Sequence, residues 1–141
     1  MNEEAVKALL GALDRKAIAR GVAALTEAER DAWVPVWALL TIGSGGFRYF
    51  LDNSQADLAD AARRFRHLGL DAAGAACERV ASEVFPGGAP ADHDERSDLL
   101  ARVDWSRFGA EEGVLVALTR EGLYRAIGDY ARRSDGALAW G

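Results

Sequence analysis

The chain has 141 residues, 50% of them hydrophobic and 28% charged, which suits one domain and excludes a disordered tail or a fibre. Its net charge of −5 comes from 22 acids and 17 bases, and no segment is basic enough to grip nucleic acid. A single cysteine, Cys77, excludes an internal disulfide, and no apolar run approaches the ~20 residues of a membrane span.

The start, Met1-Asn2-Glu3-Glu4, is acidic and is no secretory signal. With the lone thiol it predicts a cytoplasmic, reducing setting. Apolar residues then recur at helical spacing almost throughout. Val6, Leu9, Leu10, Leu13 and Ala17 line a first helix, which Gly21 interrupts. Thr26 and Glu29 have the spacing of a capping box for a second helix. Trp33, Val36, Trp37 and Leu40 read as its buried stripe, and Pro35 should kink or split it. Gly43-Ser44-Gly45-Gly46 ends it, and Phe47, Phe50 and Leu51 follow as a short apolar face.

Asn53-Ser54 is the expected cap of the next helix, with Asp57 at its third position. Leu58, Ala61, Ala62, Phe65 and Leu68 form the buried side, and Gly69 is the stop. Asp71 caps a further helix that buries Ala73, Ala76, Cys77, Val80 and Val84. Pro86 to Pro90 reads as a loop. Residues 92–103 make an acidic helix with Leu99, Leu100 and Val103 inward, and Trp105 and Phe108 anchor the turn after it. Val114 to Leu118 reads as buried helix or extended loop, because a lone strand has no partner. Thr119 caps a last helix carrying Leu123, Tyr124, Ile127 and Tyr130. The expected fold is all-α: one domain over residues 1–141, a compact bundle of six to seven short helices.

Chemistry is sparse. Gly43 to Gly46 ahead of a helix, with Arg48 and Tyr49, is a candidate anion or small-molecule cradle, but it lacks the P-loop spacing and its lysine. Asp92-His93-Asp94-Glu95 offers metal-friendly ligands that point apart on a helix, so no metal and no cofactor are expected. His67 suits a helix end, and Cys77 falls on an apolar face where a thiol is inert. Asp60 with Arg63 and Arg64 has the spacing of surface ion pairs. Catalysis is therefore the weaker class, and a binding module the stronger. The acidic excess lies in residues 91–118, where seven acids face Arg96, Arg102 and Arg107. Asp92, Asp94, Glu95, Asp98, Glu111 and Glu112 are the candidate patch for a basic partner. Tyr130 and Trp140 are candidates for contact between two copies.

The stretch Gly45-Gly46-Phe47-Arg48-Tyr49-Phe50-Leu51-Asp52-Asn53-Ser54 resembles the signature of the DNA mimic protein family, an all-helical group of bacterial proteins. That signature is a glycine pair, a phenylalanine, a further aromatic and then an asparagine. Leu25 to Leu39, Ala61 to Gly69, Ala81 to Gly88 and Leu100 to Phe108 resemble the flanking helices, so the likeness spans residues 22–133. Ser44 stands where members commonly carry asparagine, and Tyr49 where glutamine is common. The resemblance implies a helical fold in which Gly45, Gly46, Phe47, Phe50 and Asn53 are mainly structural. It also implies a protein partner: a DNA-binding regulator whose basic groove an acidic decoy occupies.

Overall fold

The computed structural model describes residues 1–53 and 57–134; Trp140 and Ser54 lie outside them, as does the side chain of Asn53. The fold is all-α. Among the described residues there are seven α-helices: α1 (Glu3–Arg20), α2 (Glu27–Asn53), α3 (Leu58–His67), α4 (Asp71–Val84), α5 (His93–Ala101), α6 (Gly109–Leu118) and α7 (Arg120–Arg133). Short 3₁₀ turns cover Val22–Ala24 and Trp105–Phe108.

Local chemistry sets the helix ends. Asn2 accepts from the Ala5 amide at 2.8 Å and starts α1. The box before α2 is reciprocal: the Glu29 amide donates to Thr26 Oγ1 at 3.1 Å, and the Thr26 amide donates to Glu29 Oε1 at 2.8 Å. Asp57 itself is the cap of α3, accepting from the Ala59 amide at 2.9 Å. Asp71 lies inside the first turn of α4, and the cap position is Leu70, which offers no side-chain bond. A short polar side chain one residue either way looks alike in sequence; the backbone of the preceding turn decides.

One core collects side chains from all seven helices: Leu9 and Leu13, Val34 and Ala38, Phe47 and Phe50, Phe65, Cys77 and Val80, Leu100, Leu115, Leu123 and Ile127. α3 packs most closely on α4, α1 meets α7, and α2 contacts α3, α5 and α6 as well as α1 and α7. The buried stripe of α2 differs from the expected one. Ala32, Val34, Ala38 and Ile42 point inward, whereas Trp37 and Leu40 are 40% and 43% exposed. The small alanines allow α3 and α6 to come close, and the two indoles, stacked at 5.8 Å, lie along another side of the helix. α2 also runs through Pro35 with helical backbone, and its break falls at Gly46. Losing one hydrogen bond at proline leaves the rest of the helix in place, whereas φ at Gly46 is reversed.

α6 is a helix, as one of the two readings of Val114 to Leu118 had it. Of that run Leu115 is buried, while Val116 is exposed.

Candidate functional site

Gly46 holds φ 77° and ψ −178°, a conformation almost restricted to glycine. It ends the first segment of α2 and redirects the chain so that Phe47, Phe50 and Leu51 enter the core. A methyl group at Gly46 would lie 2.7 Å from Glu112 Oε1, and one at Gly45 would lie 2.5 Å from Tyr49 Cβ. The pair is thus explained by a backbone reversal at one glycine and the close approach of a side chain at the other.

The hinge opens on a shallow hollow of about 470 Å³ between α2 and α6, walled by Leu39, Leu40, Leu115 and Val116 with Glu112 and Arg120. Arg48 and Tyr49 are not part of its lining. Ser44 Oγ is already spent on the Leu40 carbonyl at 2.8 Å. Gly43, Ser44 and Gly45 are helical, so their amides serve the helix and form no anion nest.

The six acids of the candidate patch fall into different surroundings. Asp92 caps α5, accepting from the Glu95 amide at 2.9 Å. Asp94, Glu95 and Asp98 are exposed along α5. Among the described residues none of the three has a lysine or arginine in ion-pair reach; Asp94 has only His93 Nδ1, at 3.7 Å. Asp52 of α2 adjoins them, accepting from Ser97 Oγ at 2.7 Å, with His93 Nε2 at 3.9 Å. Glu111 stands apart: it is buried on α6 and pairs with Arg79 Nε of α4 at 3.3 Å. Glu112 leans over the Gly46 hinge. Position on the helix explains the split, since Glu111 lies one turn before Leu115, on the face turned to the core.

Most other acids are neutralised. Lys7 bridges Glu3 and Glu4, Lys16 holds Glu29, Arg66 holds Glu78, Arg107 holds Glu83 and Arg132 holds Asp129.

A second polar centre is internal. Arg64 is 1% exposed, not a surface residue as its spacing from Asp60 suggested. Its Nη1 reaches Asp31 Oδ1 and Glu27 Oε2, each at 3.0 Å, and its Nε reaches Asp60 Oδ2 at 3.1 Å. Asp31 also bonds His67 Nδ1 at 2.9 Å and accepts from Tyr130 Oη at 2.7 Å. Burial, then the bond to Asp31, raises the Tyr130 phenol to about 12. This network ties α2, α3 and α7, and it engages the Tyr130 hydroxyl in the interior. Asp31 lies on the face of α2 that carries Val34, Ala38 and Ile42, not on the Trp33–Trp37 stripe, so only Arg64, beside Ala61 and Phe65, shared an apolar stripe that the spacing showed.

Cys77 is buried, and burial pushes its thiol up to about 12, which disfavours the reactive thiolate, while His67 Nδ1 bonds Asp31. Among the described residues, no group of three or more histidine, cysteine, aspartate or glutamate side chains is placed to hold a metal ion. No described helix is long and apolar enough to cross a membrane.

Searches of curated proteins and of solved structures gave no match. The sequence profile of the DMP19-like protein family matches residues 23–133. The matched stretch opens within the 3₁₀ turn before α2 and closes at the end of α7, so it takes in the hinge, the acidic helix and the Asp31 network, and leaves α1 outside. With the glycine hinge and the helical fold in agreement, the chain belongs to the DMP19-like family.

Proposed function

We propose that this protein is a non-enzymatic binding module, and in its sharpest form an acidic decoy that occupies the DNA-reading face of a DNA-binding regulator. Membership of the DMP19-like family supports a protein partner of that kind. The observation that carries the reading is the unneutralised face of α5. Among the described residues, Asp94, Glu95 and Asp98 have no lysine or arginine in ion-pair reach, whereas acids such as Glu3, Glu29, Glu78, Glu83 and Asp129 do, and the Asp94 side chain is fully exposed at 100%. Asp94 and Asp98 are four positions apart, a rise of about 6 Å along the helix, comparable with the step between successive phosphates of a nucleic-acid strand. Asp52 and Asp92 extend the charge at its edge. Unpaired carboxylates on one rigid helix attract a basic groove and steer its approach. The role needs no cofactor, metal or membrane.

The test is capture of partners from native lysate on the immobilised protein, with Asp94→Lys, Glu95→Lys and Asp98→Lys combined as control. Asp92 and Glu111 are left intact because one caps α5 and the other pairs with Arg79. Captured proteins should be DNA-binding, should be released by competing duplex DNA, and should be lost as salt shortens the screening length below about 10 Å. Capture that ignores salt, or that survives the triple charge reversal, would remove the decoy reading.

A further inference from the structure

Arg96 is the arginine of α5, and it leaves the acids around it unpaired. It sits among Asp92, Asp94, Glu95 and Asp98 in sequence, yet among the described residues it makes no ion pair. Its hydrogen bond is a long one, from Nη1 to the Pro90 carbonyl at 3.5 Å. Its Nε is buried and, among the described residues, has no acceptor. Arg30 also buries an unpartnered Nε, but Glu27 and the Ala23 carbonyl hold its other nitrogens. With Nε closed off and no ion pair made, the guanidinium has its remaining nitrogens to offer to an acceptor from outside the chain.

Arg96 lines a hollow of about 500 Å³ whose apolar wall is Leu51, Leu58, Ala81, Phe85 and Pro86. That volume lies within the usual range for small-molecule sites. Asp94, Glu95 and Asp98 are absent from its lining, so it is distinct from the acidic face. Two carboxylates also line it, and both are engaged: Asp57 with the Ala59 amide and Glu78 with Arg66. Their charge disfavours phosphate and other polyanions. A single carboxylate matches an arginine that makes no ion pair, and an apolar body matches the wall. We propose that this hollow binds a small organic monocarboxylate, its carboxyl group on Arg96 and its apolar body against Phe85 and Leu58. The same chemistry is carried by a free organic acid and by the carboxyl terminus of an apolar peptide.

Isothermal titration calorimetry with four probes tests it: hexanoate, an N-acetylated apolar dipeptide with a free carboxyl terminus, hexan-1-ol and inorganic phosphate. Saturable binding of hexanoate or of the dipeptide is expected, and the tighter of the two identifies the source. Hexan-1-ol and phosphate should bind at least roughly tenfold more weakly, as loss of one charge-assisted pair implies. Arg96→Gln should weaken the carboxylate by a similar factor. Ala81→Leu, which narrows the hollow and leaves Arg96 in place, should weaken it as well. Both variants are checked for native helicity by circular dichroism. The proposal is overturned if neither carboxylate binds the wild type, if hexan-1-ol or phosphate binds as tightly as hexanoate, or if Arg96→Gln or Ala81→Leu, once folded, binds as the wild type does.

Discussion

Tyr130 Oη donates to Asp31 Oδ2 at 2.7 Å, joining the last helix to the second across 99 positions of the chain. Asp31 is buried, so its charge depends on this hydroxyl, on Arg64 and on His67. The partners are not equivalent. Tyr130→Phe removes one neutral donor to a charged acceptor and should cost about 1.5–3 kcal/mol. Arg64→Met removes the permanent cation paired with Asp31 and strands a buried carboxylate, with an expected cost of about 3–5 kcal/mol. Urea unfolding of both variants checks the order: Arg64→Met should have the lower midpoint, with an unchanged denaturant slope.

The glycine run makes opposite predictions at neighbouring positions. Gly43 is helical and exposed, and an added methyl group there meets nothing within 4 Å. Gly43→Ala should therefore be neutral or stabilise by up to about 1 kcal/mol. Gly46→Ala forces an L residue into φ 77° and crowds Glu112, so it should cost about 1–3 kcal/mol for the backbone alone. Glu112→Ala in the Gly46→Ala background removes the steric clash but not the backbone strain, so only part of the loss should return. Thermal unfolding of the three variants separates the two terms.

The helical fold, its hinge and most helix faces were legible from periodicity and glycine placement. Leu58, Ala61, Ala62, Phe65 and Leu68 are all buried, as their spacing predicts. α2 misled because it carries two stripes of nearly equal apolar character. Large indoles at Trp33 and Trp37 outweigh Ala32 and Ala38 on any hydrophobicity count, yet close helix packing selects the small residues. The candidate patch was legible only where one helix carried it. Charge density along the sequence joined Glu111 to Asp94 and Asp98, but burial separates them, and burial depends on which neighbour a helix face meets. Arg64 reads as a surface ion pair because an arginine near acids looks the same in sequence whether or not another helix covers it.

Cys77 offers a clean reporter of core integrity. Its thiol is buried, and burial holds it at about 12, so almost no thiolate exists near neutral pH. A thiol-reactive disulfide reagent at pH 8 should modify it at the rate of opening, orders of magnitude below that of the urea-unfolded chain. Gly46→Ala should accelerate labelling in proportion to its lost stability. Rapid stoichiometric labelling of the native wild type would contradict the packing of α4.

Stability should fall at both ends of the pH scale for different reasons. At Asp60, burial acts to raise the carboxyl, but the bonds from Arg63 and Arg64 outweigh it and hold the group below its ordinary value of 3.8. At Glu29, burial again acts upward, and Lys16 with the Thr26 amide pulls the group below 4.5. A carboxyl depressed in the folded state binds its proton more readily when unfolded. Its stabilisation is therefore full above the ordinary value and is lost as pH falls through the lower, folded one. Asp60→Asn should flatten the acid limb below about pH 4 while leaving the alkaline limb untouched. Tyr130 works in the other sense. Its folded value of about 12 lies above the ordinary 10.0, so its contribution is intact below pH 10 and disappears as pH climbs toward 12. Tyr130→Phe should reduce that alkaline slope, leaving the part due to the Cys77 thiol, which burial also raises to about 12, and spare the acid one. Thermal midpoints measured from pH 2 to pH 12 on the wild type and the two variants test both assignments, because exchanged slopes would place the linkage on the wrong residues.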